Sequence, residues 1–463
     1  MSGLFGIVSS KDCRQSLFYG TDYHSHLGTK KAGLAVLNHQ LTRCIHDIST
    51  SQFKSKFIEE LPKLKGKKGI GVISDFDPQP IIISCSFGNF AIATSGLLRN
   101  KNELAKEIMS QGGSFSEMSS GMINSTEVIG KMIARKSNIV SGIEYVFSKM
   151  SGSVSMLVLA KEGVYAARDI TGKTTLIAGQ KDETLALTSE TCAFPNLGFE
   201  PVLELAPGEI MLLSRDGLKK ENSSKNNNKV CSFLWIYTGY PASSYEGINV
   251  EKVRENCGAN LARKDNIEAD LVTGVPDSGT AHALGYSMFS GIPYRRPLVK
   301  YTDGYVRSYT PPSQEIRNKV AKLKLIPIKS VIEGKRIVVC DDSIVRGTQL
   351  KNQAIEKLWK NGAKEIHVRI ACPPLMFPCP YLLATRTKKE LAARRVIKQL
   401  TGEKQHSVKD YLDCNSLQYR TMIMTIQKEL GVTSLKYQAI DDMVQAIGLP
   451  REKLCLYCWD GKE

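Results

Sequence analysis

The 463-residue chain is 42% hydrophobic and 23% charged, an ordinary soluble composition long enough for two large domains or three small ones. Its net charge of +16 fits a polyanionic small substrate or a solvated basic surface; without zinc-finger spacing or an aromatic-basic motif, nucleic acid is not the expected partner. No apolar run approaches the ~18 residues of a membrane-spanning helix, and Met1-Ser2-Gly3-Leu4-Phe5 is not a signal peptide, so no membrane association and a cytoplasmic location are expected.

Along the first half, Leu4–Val8, Ala32–Leu37, Gly69–Ser74 and Pro80–Leu98 are apolar, β-branched runs interrupted by Gly, Pro and Asp, which predicts strands. Lys101–Gln111 and Thr126–Lys136 have helical spacing instead. Further strands are predicted at Val154–Ala160, Leu176–Gly179, Leu185–Thr188 and Gly208–Leu213, giving an α+β domain of antiparallel sheets. Leu218–Lys229, rich in Asn, Ser and Lys, has little to bury and is expected to be an exposed loop. The domain boundary is placed there, separating residues 1–228 from 229–463.

The second half alternates helix and strand: helix Val250–Arg263, strand Ala269–Val275, helix Thr280–Ser290, strand Arg296–Lys300. Strand Arg336–Val339, helix Gln349–Asn361 and strand Glu365–Ile370 follow. Such repeats predict a parallel sheet with ligands at the carboxyl ends of its strands.

The most informative segment is Ile337-Val338-Val339-Cys340-Asp341-Asp342-Ser343-Ile344-Val345-Arg346-Gly347-Thr348. An apolar strand runs into two adjacent acids and then a turn that opens a helix. The turn offers backbone N–H groups to a phosphate, and the paired carboxylates can hold vicinal hydroxyls or a divalent metal. This string resembles the phosphoribosyl diphosphate (PRPP) signature of type I phosphoribosyltransferases, in the form of the amidophosphoribosyltransferase family. The resemblance implies that Asp341 and Asp342 face the ribose hydroxyls and Mg²⁺, while Ser343, Ile344, Val345, Arg346, Gly347 and Thr348 cradle the 5-phosphate. The family usually has a second Thr where this chain has Gln349.

Gly274-Val275-Pro276-Asp277-Ser278-Gly279 is similar to the family's diphosphate loop, which places Asp277, Ser278 and Gly279 on the substrate and Ser278 on Mg²⁺. The stretch from Arg307 to Arg317, with Lys324-Leu325 beyond it, resembles the mobile loop that folds over PRPP. Lys300, Arg307, Arg317 and Lys324 are then the cations for its phosphates, with Arg307 and Lys324 the expected catalytic residues. The reaction implied needs Mg²⁺ and cations on the departing diphosphate, and a closed loop to exclude water.

Twelve cysteines in a reducing compartment suggest metal ligation or burial rather than disulfides. Cys455-Leu456-Tyr457-Cys458 is a CxxC pair, which by itself fits redox or metal chemistry. The family resemblance supplies two more ligands, Cys231 in Cys231-Ser232-Phe233-Leu234-Trp235 and Cys379 at the end of Pro373–Cys379. Four thiolates suit zinc or iron–sulfur; the resemblance favours a [4Fe–4S] cluster. The other eight, including Cys340 and Cys372 in predicted strands, are expected to be buried or inert.

The first half is similar to the family's glutaminase domain, implying the N-terminal-nucleophile sandwich of two antiparallel sheets between helices. Its nucleophile and the groups that bind glutamine's charges are replaced, while Gly96 is retained. The nucleophilic cysteine is replaced by Ser2, and the HRGQ motif reads His26-Leu27-Gly28-Thr29. The arginine of a GIGHVRY-like strand becomes Ser74, and the oxyanion-hole Asn-Gly pair becomes Ser95-Gly96. The aspartate for the glutamine amine becomes Ser125.

The expected protein is therefore an Mg²⁺-dependent phosphoribosyltransferase that takes ammonia or another amine, with a degenerate glutaminase half. A non-catalytic iron–sulfur protein binding PRPP or a nucleotide, and a glutamine-dependent enzyme with a serine nucleophile, are the alternatives. By resemblance it is a homo-oligomer, dimer or tetramer. The basic stretch Lys388–Lys428, with Arg394, Arg395, Lys398, Lys404 and Lys409, exceeds the family's usual connection and is expected to be a solvated helical surface.

Overall fold

The computed structural model describes residues 2–119, 121–222, 229–301, 324–382, 387–402 and 408–462; Arg307, Arg317 and Lys404 lie outside these. The chain forms two compact units. The first comprises Met1–Cys231, Ala242–Glu246 and Pro380–Leu382, and the second Ser232–Pro241, Gly247–Cys379 and Leu383–Glu463.

The first unit is built on two antiparallel sheets. One has the strand order Glu200–Glu204, Ile177–Lys181, Thr184–Thr188, Ser2–Val8, Lys68–Ser74, Lys31–Leu37, Leu41–Asp47. The other runs Gly217–Lys220, Ile210–Ser214, Val164–Ala167, Gly152–Leu159, Gly88–Leu98, Ile81–Cys85. The central strand Ser2–Val8 shows why the sheets stack. Its alternate residues Leu4 and Val8 enter a core shared with Ala91, Ala93, Leu157 and Leu159 of the second sheet. Phe5 and Ile7 point the other way, into a core with Leu17 and Phe18 of helix Arg14–Asp22. A strand covered on both faces reads as continuously apolar, as this one does. The second sheet's outer face is covered in the same manner by helices Lys101–Ser110, Ser125–Ile133 and Ile139–Lys149.

Two expectations are corrected here. Pro80–Leu98 is a tight hairpin, Ile81–Cys85 with Gly88–Leu98, because Cys85 pairs with Gly88 across a two-residue turn. Leu218–Lys229 is not loop from its start: Gly217–Lys220 pairs with Ile210–Ser214. The two-residue turn at Arg215-Asp216 ends on Gly217 at φ +115°, where a hairpin forms without the strand needing buried side chains. The composition of the edge strand, with exposed Lys219 and Lys220, is what hid it.

The second unit centres on a four-stranded parallel sheet, ordered Leu271–Gly274, Arg336–Asp341, Glu365–Ile370, Ser434–Tyr437. Helices Val250–Arg263 and Thr280–Ser290 have the predicted bounds. The helix expected over Gln349–Asn361 opens instead with a wide π-type turn, Leu350–Ile355, before Glu356–Lys360 continues as α-helix. Cys372 lies just past the strand Glu365–Ile370 rather than in it, though both it and Cys340 are buried. Cys414, among the eight expected to be buried or inert, is exposed. Among the described residues, no helix is long and apolar enough to cross a membrane.

Candidate active site

Strands Leu271–Gly274 and Arg336–Asp341 run parallel in register, Gly274 opposite Cys340, so the loops after them leave from the same end. The amide of Val275 continues the ladder onto the Cys340 carbonyl at 2.9 Å. That register delivers Ser278 to the acid pair, and its Oγ donates to Asp341 Oδ1 at 3.1 Å. The same carboxylate oxygen accepts the Asp342 amide at 3.0 Å, while Asp342 Oδ2 accepts the Ser343 hydroxyl at 2.5 Å. Residues 63 positions apart in sequence, Ser278 and Asp341, are thus brought into one site by strand pairing alone.

Both carboxyl groups are buried, Asp341 at 7% and Asp342 at 4% exposure. Burial is the main cause that raises the Asp341 pKa well above the usual carboxylate range, with the neighbouring Asp342 charge adding to it. Burial raises Asp342 too, against the lowering effect of the Ser343 hydrogen bond. Two adjacent buried acids are unfavourable by themselves and gain from a cation or from hydroxyl donors. Beyond them the turn closes at Gly347, whose φ of +80° is a conformation that side-chain-bearing residues rarely adopt. Ile344 is buried under the turn, whereas Thr348 is exposed. Arg346 pairs its guanidinium with Glu390.

Of the predicted cations, Lys300 ends strand Leu298–Lys300 and forms an ion pair with Asp277 of the diphosphate-type loop. Lys324 lies directly alongside: its carbonyl accepts the Tyr301 amide at 2.7 Å, and Leu325 is paired opposite Lys300. Gly279 is held by its amide on the Val275 carbonyl at 2.8 Å, at the head of helix Thr280–Ser290.

The predicted cluster ligands Cys379 and Cys458 are buried, and Cys231 and Cys455 are half-buried. Amides of Met376 and Phe377 donate to the Cys458 carbonyl at 2.9 and 3.1 Å, and Ser232 Oγ donates to the Cys455 carbonyl at 3.0 Å. The residue after Cys231 and two residues shortly before Cys379 therefore hydrogen-bond to the carbonyls of the CxxC cysteines. Among the described residues, no three His, Cys, Asp or Glu side chains form a group that could hold a metal ion.

In the first unit, Ser2 and Ser74 are paired across adjacent antiparallel strands, and Ser2 Oγ donates to Ser74 Oγ at 3.3 Å. Ser95 Oγ donates to the Ser2 carbonyl at 2.6 Å, and all three serines are buried. Gly96 has φ +124°, and a Cβ there would sit 1.9 Å from the Ser153 carbonyl oxygen, so this glycine is required by the backbone itself. Leu27 is buried, and Ser125 opens its helix with its amide on Asp77 Oδ2 at 2.8 Å. The serines thus come together, and their hydroxyls serve one another and the backbone.

Sequence reasoning missed a charged network in this unit. Glu190, 1% exposed, accepts the Tyr245 hydroxyl at 2.6 Å and the Ser243 hydroxyl at 3.3 Å, and contacts His26 Nε2 at 2.8 Å. Burial alone would raise its pKa, but His26 and the hydroxyl donors outweigh it and bring Glu190 down to about 2. Tyr245, Ser243 and His26 lie more than fifty residues away on either side, and no local pattern announces them.

The two units define a class: an N-terminal-nucleophile-type sandwich followed by a type I phosphoribosyltransferase sheet. Residues 69–196 match the family model of the glutamine amidotransferase domain. The amidophosphoribosyltransferase of Methanocaldococcus jannaschii is 34% identical, over all of this chain and 97% of its own length. The structure of the B. subtilis glutamine PRPP amidotransferase complexed with ADP and GMP superposes with a TM-score of 0.85 at 32% identity, covering 99% of this chain and 96% of that one. A structure of the allosteric regulatory enzyme of purine biosynthesis gives the same TM-score of 0.85 at 31% identity, over 99% and 95% of the two chains. The chain belongs to the amidophosphoribosyltransferase family.

Proposed function

We propose that this chain transfers the phosphoribosyl group of PRPP to ammonia or another amine and does not hydrolyse glutamine. The observation that carries the reading is the contact of Ser278 with Asp341 at the head of two parallel strands, with the phosphate turn beginning at the next acid. Ser278, Asp341 and Asp342 supply the hard oxygen donors that would hold Mg²⁺, which would offset the charge of the departing diphosphate. The acids also accept from the ribose hydroxyls, and the backbone amides of Ser343–Thr348 receive the 5-phosphate. Lys300, with Asp277 and Gly279, serves the diphosphate, and Arg307, Arg317 and Lys324 add positive charge for it. An amine then attacks the ribosyl carbon from the opposite face.

Glutamine hydrolysis is left out because the matching positions Ser2, Leu27, Ser74, Ser95 and Ser125 carry no ionisable side chain to hold glutamine's charged groups. The first domain, residues 1–228, then serves as scaffold for the transferase domain, 229–463. Cys231, Cys379, Cys455 and Cys458 are the proposed ligands of a [4Fe–4S] cluster on the family resemblance and because four thiols are the right donors, although the described side chains do not stand grouped as a metal site. The protein acts in the cytoplasm as a dimer or tetramer.

The experiment is diphosphate release from PRPP and Mg²⁺, screened over ammonia and small amines. Release that depends on one of these amines is expected; binding of PRPP with no release under any of them would replace the transferase with a regulatory PRPP-binding protein. For the cluster, anaerobically purified protein should be brown with about four irons per chain and should lose them in Cys455→Ser but not Cys13→Ser. Stoichiometric zinc without visible absorption would contradict it.

A further inference from the structure

A turn that cradles a phosphate must keep its amides facing inward, which leaves its carbonyls facing out and in need of partners. In Ser343–Thr348 two such carbonyls are held by one neighbouring element, helix Ala392–Thr401 in the basic stretch expected to be a solvated surface. The Ala392 amide donates to the Val345 carbonyl at 2.7 Å, and Arg395 Nη1 donates to the Arg346 carbonyl at 3.2 Å. From the segment just before the helix, Glu390 takes the Arg346 guanidinium. Arg395 is itself oriented by an ion pair to Glu429, on helix Leu417–Leu430. The last residue of that helix, Leu430, comes within 3.7 Å of where a Cβ on Gly347 would lie. Ala392, Ala393, Val396 and Ile397 are buried, so the helix bearing Arg395 is anchored by packing as well as by charge.

We propose that Arg395, with Glu390, is a positioning residue of the transferase: it fixes the outward carbonyls of the turn so that the inward amides stay set for the 5-phosphate. This rests on the reading of Ser343–Thr348 as the 5-phosphate site. Neither side chain touches the substrate in this account. Glu390 and Arg395 both hold Arg346, one by its guanidinium and the other by its carbonyl, so the turn is held at an exposed residue. Arg395 is 44% exposed at its side chain, and its hydrogen bond is one among several on the turn, so its effect on affinity is moderate.

Three probes separate the parts of the site: ribose 5-phosphate reports the turn, Mg²⁺-diphosphate reports the loop at Ser278, and Mg²⁺-PRPP reports both. Calorimetry on the full chain should show Arg395→Ala weakening ribose 5-phosphate and PRPP on the order of fivefold, the scale of one ordinary hydrogen bond, because the guanidinium is partly exposed and acts on the phosphate only through the turn. Mg²⁺-diphosphate affinity should not change, and Arg395→Lys should recover part of the loss. Glu390→Gln should act in the same direction, and Lys398→Ala, on the same helix, should bind all three probes as the wild type does. Unchanged ribose 5-phosphate affinity in Arg395→Ala would overturn the proposal, as would an equal loss for diphosphate, which would mark the contact as merely structural. A wild type that binds diphosphate but neither phosphoribosyl ligand would overturn the reading of the turn, and the proposal with it.

Discussion

At the head of the parallel sheet, Asp341 and Asp342 sit side by side in a buried position that raises their pKa values, and hydrogen bonds from Ser278 and Ser343 only partly offset it. In the antiparallel unit, Ser2, Ser74 and Ser95 are buried to a similar degree but neutral, and they satisfy one another. The first arrangement is unfavourable until something binds; the second is already complete. A fold keeps buried like charges where a ligand compensates them, and loses them where none does, because an uncompensated buried charge costs several kcal/mol, on the order of the whole stability margin. That contrast separates two buried acids that gain from a bound cation from three buried hydroxyls that already have partners.

The sharpest way to break the contrast is to neutralise the acids. Asp341→Asn with Asp342→Asn should weaken Mg²⁺-PRPP binding by well over tenfold, since each charge-assisted hydrogen bond is worth roughly 1.5–3 kcal/mol. The same double variant should melt no lower than wild type in the absence of ligand, because it removes two buried like charges. Equal affinity in calorimetry, or a large loss of unliganded stability, would mean the acids serve the fold instead.

Charge in the first unit should behave in the opposite way. Glu190→Gln should destabilise the protein by roughly 3 kcal/mol, as when one partner of a buried pair is removed. The sign with pH follows from its depressed pKa of about 2: its contribution is present above the ordinary glutamate pKa and is lost as pH falls from there towards 2. Wild type and variant should therefore converge in urea stability at acid pH and differ most near neutrality. A constant difference at all pH values would contradict this assignment. Ser74→Ala, the smallest effect, removes the Ser2 contact and the hydrogen bond from the Phe76 amide, and should cost about 1 kcal/mol with no change in PRPP binding.

The parallel half was the more legible in sequence because its signals are local. The acid pair, the phosphate turn and helices Val250–Arg263 and Thr280–Ser290 each occupy a contiguous stretch, and strand register did the rest by setting Ser278 beside Asp341. Helix Arg14–Asp22 and helix Ile139–Lys149 went unread because each begins among polar, turn-forming residues and is fixed by packing on a sheet face. Strand Gly217–Lys220 has too little apolar surface to be read as one. Glu190 and Arg395 were illegible for another reason: their roles depend on Tyr245 and on the Arg346 carbonyl, and chain position gives no hint of either. Arg395 sits in a basic stretch that reads as surface charge, and only its bond to the Arg346 carbonyl ties it to the turn.

A single paired assay separates a chain with one chemically competent half from a chain with two. With PRPP and Mg²⁺ present, diphosphate and glutamate are measured together in samples supplied with ammonia or with glutamine. Diphosphate release with ammonia, no diphosphate with glutamine and no glutamate in either is the expected result. Glutamate release that disappears in Ser2→Ala, accompanied by glutamine-driven diphosphate release, would contradict it and make Ser2 a working nucleophile.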